Sequence, residues 1–200
     1  MKRFTNKLPH NERFICLFSG GKDSHLALSI AGQQGRATAL VTITNGLNNN
    51  NHNIDYIKEQ AKKIDLPLDI CIGDPKNPAL IYHIVKKLRK YGKSNVNYLV
   101  TGNISNKRDI KQNQEIADMA GMTLCCPLWN MEQEKILDEC EKRKIKSSII
   151  FVNHPNISDD WIGKTYDRKA FNYFKSININ PLGEDCEFHT TVTDCDIYIK

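Results

Sequence analysis

An apolar run breaks on a pair of glycines in FICLFSGGKDSHLAL, Phe14 to Leu28, and an apolar helical pattern resumes at once. RFICLF reads as a first strand and residues from about Asp23 to Gln33 as a first helix. The same alternation then repeats. ATALVTI, LDICI, NYLVTG (ending at Gly102) and MTLCC read as four further strands. Between them, Ile54, Ile57, Ala61 and Ile64, then Leu80, Ile81, Ile84, Val85 and Leu88, then Ile110, Ile116, Ala117 and Ala120, recur at helical spacing. Alternation of this kind predicts an α/β fold: a doubly wound, parallel five-stranded sheet with helices on both faces. In such sheets ligands bind outside the carboxyl ends of the strands.

Pro127-Leu128-Trp129 breaks the alternation, so a boundary is expected near Leu128, with a domain over residues 1–128 and a smaller α+β domain over 129–200. The second part opens with a charged helix, Glu132 to Arg143, and a strand, KSSIIFV. Its tail mixes aromatic and turn residues and ends in GEDCEFHTTVTDCDIYIK. The asparagine-rich run Asn45 to Asn53 is low in complexity and reads as a mobile loop.

Two hundred residues suffice to bury a full core, and 40% hydrophobic with 26% charged residues is ordinary for a soluble protein. No apolar run is long enough to span a membrane, and the basic N-terminus lacks the apolar segment of a signal peptide, so the cytoplasm is the expected compartment. The seven cysteines form no CxxC pair and read as reduced thiols, several of them small core hydrophobes. A formal charge of +5 suits an anionic ligand without requiring one.

The chemistry of the opening segment follows from its residues. Gly20 and Gly21 lack a Cβ, so the backbone can turn tightly and approach a ligand. N–H groups there and at the helix start, backed by the helix dipole, make an anion site. Ser19 and Ser24 add hydroxyls and Lys22 a charge, while Asp23 either caps the helix or positions a magnesium ion. The spacing fails the Walker pattern. Instead, SGG-x-DS resembles the pyrophosphate-binding loop of the PP-loop ATP pyrophosphatase superfamily, whose enzymes cleave ATP between the α- and β-phosphates. Thr101-Gly102-Asn103 is similar to the superfamily segment that lies against the nucleotide. The resemblance thus implies ATP at Ser19, Gly20, Gly21, Lys22, Asp23, Ser24, Thr101 and Gly102, with Mg2+ at Asp23.

NPLGEDCEFHTTVTD, Asn180 to Asp194, is similar to the signature N-P-x-G-E-x-G-E-[FY]-H-T-x-V-x-D of the diphthine–ammonia ligase (diphthamide synthase) family. LVTGNI, AGMTLCCPLW and WIGKTYD follow that family in order, so the resemblance covers essentially the whole chain. It implies an ATP-dependent amide ligase that activates the carboxylate of diphthine on elongation factor 2 as an acyl-adenylate, releases pyrophosphate, and admits ammonia to form diphthamide; the second part is too small for a glutaminase domain, so free ammonium is the expected nitrogen source. Lys22, Asp23, Glu184, Glu187 and His189 are then the catalytic candidates. Asn103, Gly183, Glu184, Glu187, His189 and Thr190 are the substrate-binding ones.

On its own composition, the Glu184–Glu187–His189 cluster suits acid–base work, a cation, or a solvated edge strand; in an extended segment Glu187 and His189 share one face. A metal site from Cys186, His189 and Cys195 has no familiar spacing. The basic stretch Ile84 to Lys93 reads as a solvated helix face, and His25, His83 and His154 as structural. The sequence departs from the family at Cys186, usually Gly, and at Asn103, usually Asp. It also lacks the family's aromatic- and His-containing segment after the second strand, leaving only His52, and the Tyr-Gln-Arg pattern after Gly102. These departures bear on the second substrate. Two alternatives accordingly stand beside the amide ligase: a superfamily ligase or thiolase acting on another substrate, RNA included, and a non-catalytic ATP-binding sensor. No membrane partner is expected, nucleic acid is not the favoured partner, and oligomeric state stays open, a homodimer among the options.

Overall fold

The computed structural model describes residues 4–44, 53–73 and 78–199. Residues 45–52, most of the asparagine run and His52 among them, lie outside the described residues; Asn53 itself caps a helix, its side chain accepting the Asp55 N–H. Five strands, β1 (Arg13–Leu17), β2 (Arg36–Thr44), β3 (Leu68–Ile72), β4 (Tyr98–Val100) and β5 (Thr123–Cys125), form a parallel sheet in the order β3-β2-β1-β4-β5. The helices between them are α1 (Lys22–Gly32), α2 (Ile54–Ile64), α3 (Pro78–Gly92) and α4 (Lys107–Ala120). The fold is the α/β arrangement expected from the alternation, with two local differences. NYLVTG is strand only to Val100, and α1 begins one residue before Asp23.

Alternation along β1 places Phe14, Cys16 and Phe18 in one core with residues of α1 and α2, and Ile15 and Leu17 in the other with residues of α3 and α4. Helices therefore cover both faces. The order reverses at β1, whose neighbours are β2 and β4, so the crevice above its carboxyl end is the switch point of the sheet.

Beyond a turn at 127–130, α5 (Gln133–Lys142) leads to an antiparallel sheet in the order β7-β6-β8, from β6 (Lys146–Val152), β7 (Thr165–Tyr166) and β8 (Phe188–Asp194). α6 (Arg168–Ser176) fills much of the tail to which the sequence assigned no element. Asp167 caps it through the N–H groups of Lys169 and Ala170, and Phe174 stacks on Phe188 at 4.7 Å between ring centroids. Phe171, Phe174, Phe188 and Val192 join the core that holds Leu26, Ala27 and Leu40. The small sheet is thus packed directly against α1, which is buried along nearly its whole length.

Candidate active site

Strand β1 delivers the chain to Ser19, and Gly20 takes a positive φ of 80°. A Cβ there would lie 2.5 Å from the Gln60 side chain, so only glycine fits the turn. Gly21 caps α1 with extended backbone and without a side-chain partner. The first-turn N–H groups of a helix have no acceptor within it. Here the Lys22 N–H finds Thr190 Oγ1 at 3.3 Å, and the Gly21 N–H has Ser19 Oγ at 3.4 Å. Ser24 Oγ donates back to the Gly21 carbonyl at 2.9 Å.

Beside this loop lies a cavity of about 350 Å³. Ser19, Asp23 and Ser24 contribute from the loop and helix start, and Val41, Thr42 and Ile43 from the end of β2. Thr101, Gly102 and Asn103 follow β4, Asp109 and Asn113 stand on α4, and Gly183, Glu184, Cys186 and His189 come from the C-terminal segment. The carboxyl ends of the strands and the second part of the chain together close one site.

The two distant motifs meet at several points. The Val192 N–H donates to the Gly20 carbonyl at 3.0 Å. The backbone after β4 touches the helix start: a Cβ on Gly102 would lie 2.8 Å from the Asp23 carbonyl carbon and oxygen. The close approach allowed by this glycine is therefore to α1 itself. Thr101 Oγ1 donates to Asn103 Oδ1 at 2.7 Å, and Asn113 donates to the same atom at 2.8 Å, which fixes Asn103 at the cavity wall.

Glu184 Oε2 accepts the Ser105 N–H at 3.2 Å. Burial first, and then the Asp23 carboxylate, push the Glu184 carboxyl up to about 7, against the pull of Lys22 and the Ser105 and Ile104 N–H groups. Asp23 Oδ1 is buried with no hydrogen-bond partner, while Oδ2 pairs with Lys22 at 2.8 Å. His189 lines the cavity and stacks on Phe151 at 5.5 Å.

Three candidate residues are engaged within the fold. The Lys22 ammonium, expected at the phosphate, is buried and does not line the cavity. It donates to the Leu182 carbonyl at 2.6 Å and lies over the Tyr166 and Phe188 rings at 5.3 and 6.0 Å. Residue 22 begins α1 on the side packed against the C-terminal sheet, and the aromatic pocket there takes its side chain. Glu187 was expected to share a face with His189, but it precedes β8, is 8% exposed and does not line the cavity. Its Oε2 accepts the Asp185 N–H at 2.9 Å, closing a turn in which Cys186 has φ 65°. That left-handed backbone, which favours glycine, accounts for the departure at Cys186 being a position where glycine is usual. Thr190, a substrate-binding candidate, accepts the Lys22 N–H through Oγ1. The Cys186–His189–Cys195 arrangement forms no metal site: Cys195 is buried, and no group of three or more His, Cys, Asp or Glu suited to a metal occurs among the described residues.

Several cavity residues escaped sequence reasoning. Val41, Thr42 and Ile43 follow from the strand order, which puts the end of β2 beside that of β1. Asp109 and Asn113 sit one turn apart on α4, a spacing that marks a shared helix face.

The model of the diphthamide synthase N-terminal domain matches residues 12–124, and that of its C-terminal domain residues 132–200. The chain belongs to the diphthamide synthase family. It is therefore a PP-loop protein of an ATP-utilising family. Among solved structures, a predicted subunit of tRNA methyltransferase from Methanocaldococcus jannaschii aligns over 94% of this chain and 100% of its own, at 18% identity and a TM-score of 0.51, a likeness of fold. A 4-thiouridine synthetase in complex with RNA and bound ATP aligns over 68% of this chain and 42% of its own, at 16% identity and a TM-score of 0.48. A U34-tRNA thiolase from Methanococcus maripaludis aligns over 67% and 57%, at 17% identity and a TM-score of 0.41. Comparison with curated proteins gives no match. Among the described residues, no helix is long and apolar enough to cross a membrane.

Proposed function

We propose that this diphthamide synthase family member is an AMP-forming amide ligase whose acceptor is the diphthine carboxylate of elongation factor 2 and whose nitrogen comes from ammonium. The observation that carries the reading is the placement of Glu184, a carboxyl poised near neutrality, in the same cavity as Ser19 and Ser24 of the loop. A carboxylate resists nucleophiles until it has a leaving group. Its oxygen attacks the α-phosphorus of ATP, the α–β bridge breaks, and pyrophosphate leaves. Ammonium gives up one proton to solvent, the resulting ammonia attacks the acyl carbon, AMP departs, and the second proton lost by nitrogen passes to Glu184.

The N–H groups at the head of α1 and the hydroxyls of Ser19 and Ser24 stabilise the charge on the departing pyrophosphate. The Lys22 ammonium, engaged with Leu182, has no part in that step. The orphaned, buried Asp23 Oδ1 is an oxygen donor that suits Mg2+, a hard cation commonly held by one or two carboxylates with phosphate oxygens. When bound, the ion would neutralise phosphate charge. His189 orients the acceptor at the cavity edge.

Incubation with ATP, Mg2+, ammonium and diphthine-bearing elongation factor 2 should give AMP, pyrophosphate and the amide in equal amounts. ADP and phosphate as products would rule out the α/β cleavage. ATP binding with no turnover would leave a sensor, and AMP formation only with RNA would move the acceptor to nucleic acid.

A further inference from the structure

Gln60 stands on the buried face of α2 and is 3% exposed. Its neighbours on that face, Ile57 and Ala61, are core hydrophobes, so an amide here calls for a reason. The Nε2 group donates to the Gly20 carbonyl at 3.0 Å and the Val192 carbonyl at 2.7 Å, with Thr191 Oγ1 at 3.3 Å. One side chain therefore ties α2, the loop and β8 together. Its Oε1 is buried without a partner. Turning the amide over would not help, because Oε1 would then face two carbonyl oxygens. The donors of this side chain are what the site uses, and the orphaned acceptor accompanies them.

The peptide unit between Gly20 and Gly21 explains the use. It is planar and trans, so its C=O and N–H point in opposite directions. The Gly20 oxygen is held by two donors, Gln60 Nε2 and the Val192 N–H at 3.0 Å. Both come from the α2 and β8 side of the loop. Pinning the oxygen there turns the Gly21 N–H the other way, toward the hydroxyl of Ser19, a residue of the cavity lining. Without that hold, a glycine pair is free to flip the peptide and remove the donor.

We propose that Gln60 is a positioning residue that aims the Gly21 N–H at the phosphates of ATP. The inference rests on reading Ser19 to Ser24 as the phosphate loop. Gln60→Met keeps the length and apolar packing of the side chain and removes its donors together with the unpartnered Oε1. Calorimetry with ATP, inorganic pyrophosphate and adenosine separates positioning from structure. The variant should lose about tenfold or more in affinity for ATP and pyrophosphate, the scale of one hydrogen bond to a charged group, with adenosine affinity unchanged. Equal losses for all three ligands would make Gln60 merely structural, and unchanged pyrophosphate affinity would overturn the proposal while leaving the loop reading intact. Wild-type protein that binds neither ATP nor pyrophosphate would overturn the loop reading and the proposal with it. If Gln60→Met does not fold, the wild-type protein still supplies a test: pyrophosphate should shift the Gly21 amide resonance, and an unmoved resonance would overturn the assignment.

Discussion

The Lys22 ammonium donates to the carbonyl oxygen of Leu182 at 2.6 Å, across 160 positions of sequence. With the Asp23 partner and the Tyr166 and Phe188 rings around it, this lysine joins the helix after the loop to the C-terminal sheet. Lys22→Met should therefore act on stability first. Removing one partner of a buried pair typically costs about 3 kcal/mol or more, here with the Leu182 carbonyl also left unpaired. A lower denaturation midpoint with pyrophosphate affinity within about threefold is the expected pair of results. A large loss of pyrophosphate affinity at unchanged stability would return Lys22 to the phosphate.

Gly102 carries a different constraint. Its missing Cβ would lie 2.8 Å from the Asp23 backbone and 3.0 Å from the Ser24 nitrogen. Backbone atoms cannot step aside as a flexible side chain can. Gly102→Ala should push the segment after β4 off the head of α1, at about 1–3 kcal/mol for an overpacked contact. It should also weaken ATP binding, because both walls of the cavity move. Urea denaturation and calorimetry on the same variant check both.

Periodicity carried the parallel sheet because its strands are short apolar runs and its helices have one-sided patterns; β3 and α2 begin where the residues suggest. The tail was harder. α6 has only nine residues, with Phe171 and Phe174 on its buried face, and aromatics at that spacing also occur in irregular segments. Side-chain direction was not legible. Whether Lys22 meets a phosphate or Leu182 depends on what packs against α1, and that partner lies at the far end of the chain. Likewise, the left-handed backbone at Cys186 separates Glu184 from Glu187, although the two look equivalent as letters. Gln60 did leave a signal: it is a polar residue three positions after Ile57 and next to Ala61 on the apolar stripe of its helix.

His25 gives the protein an acid limit. It is fully buried, shares Gly21 O at 3.1 Å and the Tyr198 hydroxyl at 2.9 Å, and burial pushes it down to about 4. The folded state thus holds the imidazole neutral, whereas the unfolded chain protonates it near 6.5. Its contribution is full above about 6.5 and is lost as pH falls toward 4, by roughly 3 kcal/mol in all. Glu184 acts oppositely in part of the same window, since a raised carboxyl penalises the folded state as pH rises from its ordinary value toward 7. The informative quantity is therefore the difference between His25→Gln and the parent protein. That difference should shrink between pH 7 and pH 4.5 in denaturant titrations; a constant difference would mean that His25 does not titrate with unfolding.

On the proposed reaction, Glu184 and Glu187 are expected to divide between catalysis and architecture. Glu184 lines the cavity beside Asp23, is lifted to about 7, and can accept the proton that ammonia loses on attacking the acyl carbon. Glu187 is buried outside the cavity and holds the Asp185 N–H. Replacing each by glutamine preserves size and removes the ability to take a proton. Glu184→Gln should slow amide formation by about a hundredfold, the usual scale for a proton-transfer group, and flatten the limb of the pH profile once the rate is divided by the free-ammonia concentration. In the parent protein the rate should rise as pH passes through about 7, because the carboxylate form is the base. Glu187→Gln keeps an acceptor oxygen for the Asp185 N–H, so turnover should stay within about threefold and the pH limb should survive. Single-turnover amidation of diphthine-bearing elongation factor 2 from about pH 5.5 to 8.5, which brackets the raised Glu184 carboxyl, compares the two variants directly. If Glu187→Gln, and not Glu184→Gln, abolished the limb, the base would lie on the other side of the Cys186 turn, and the segment would have to rearrange when substrate binds.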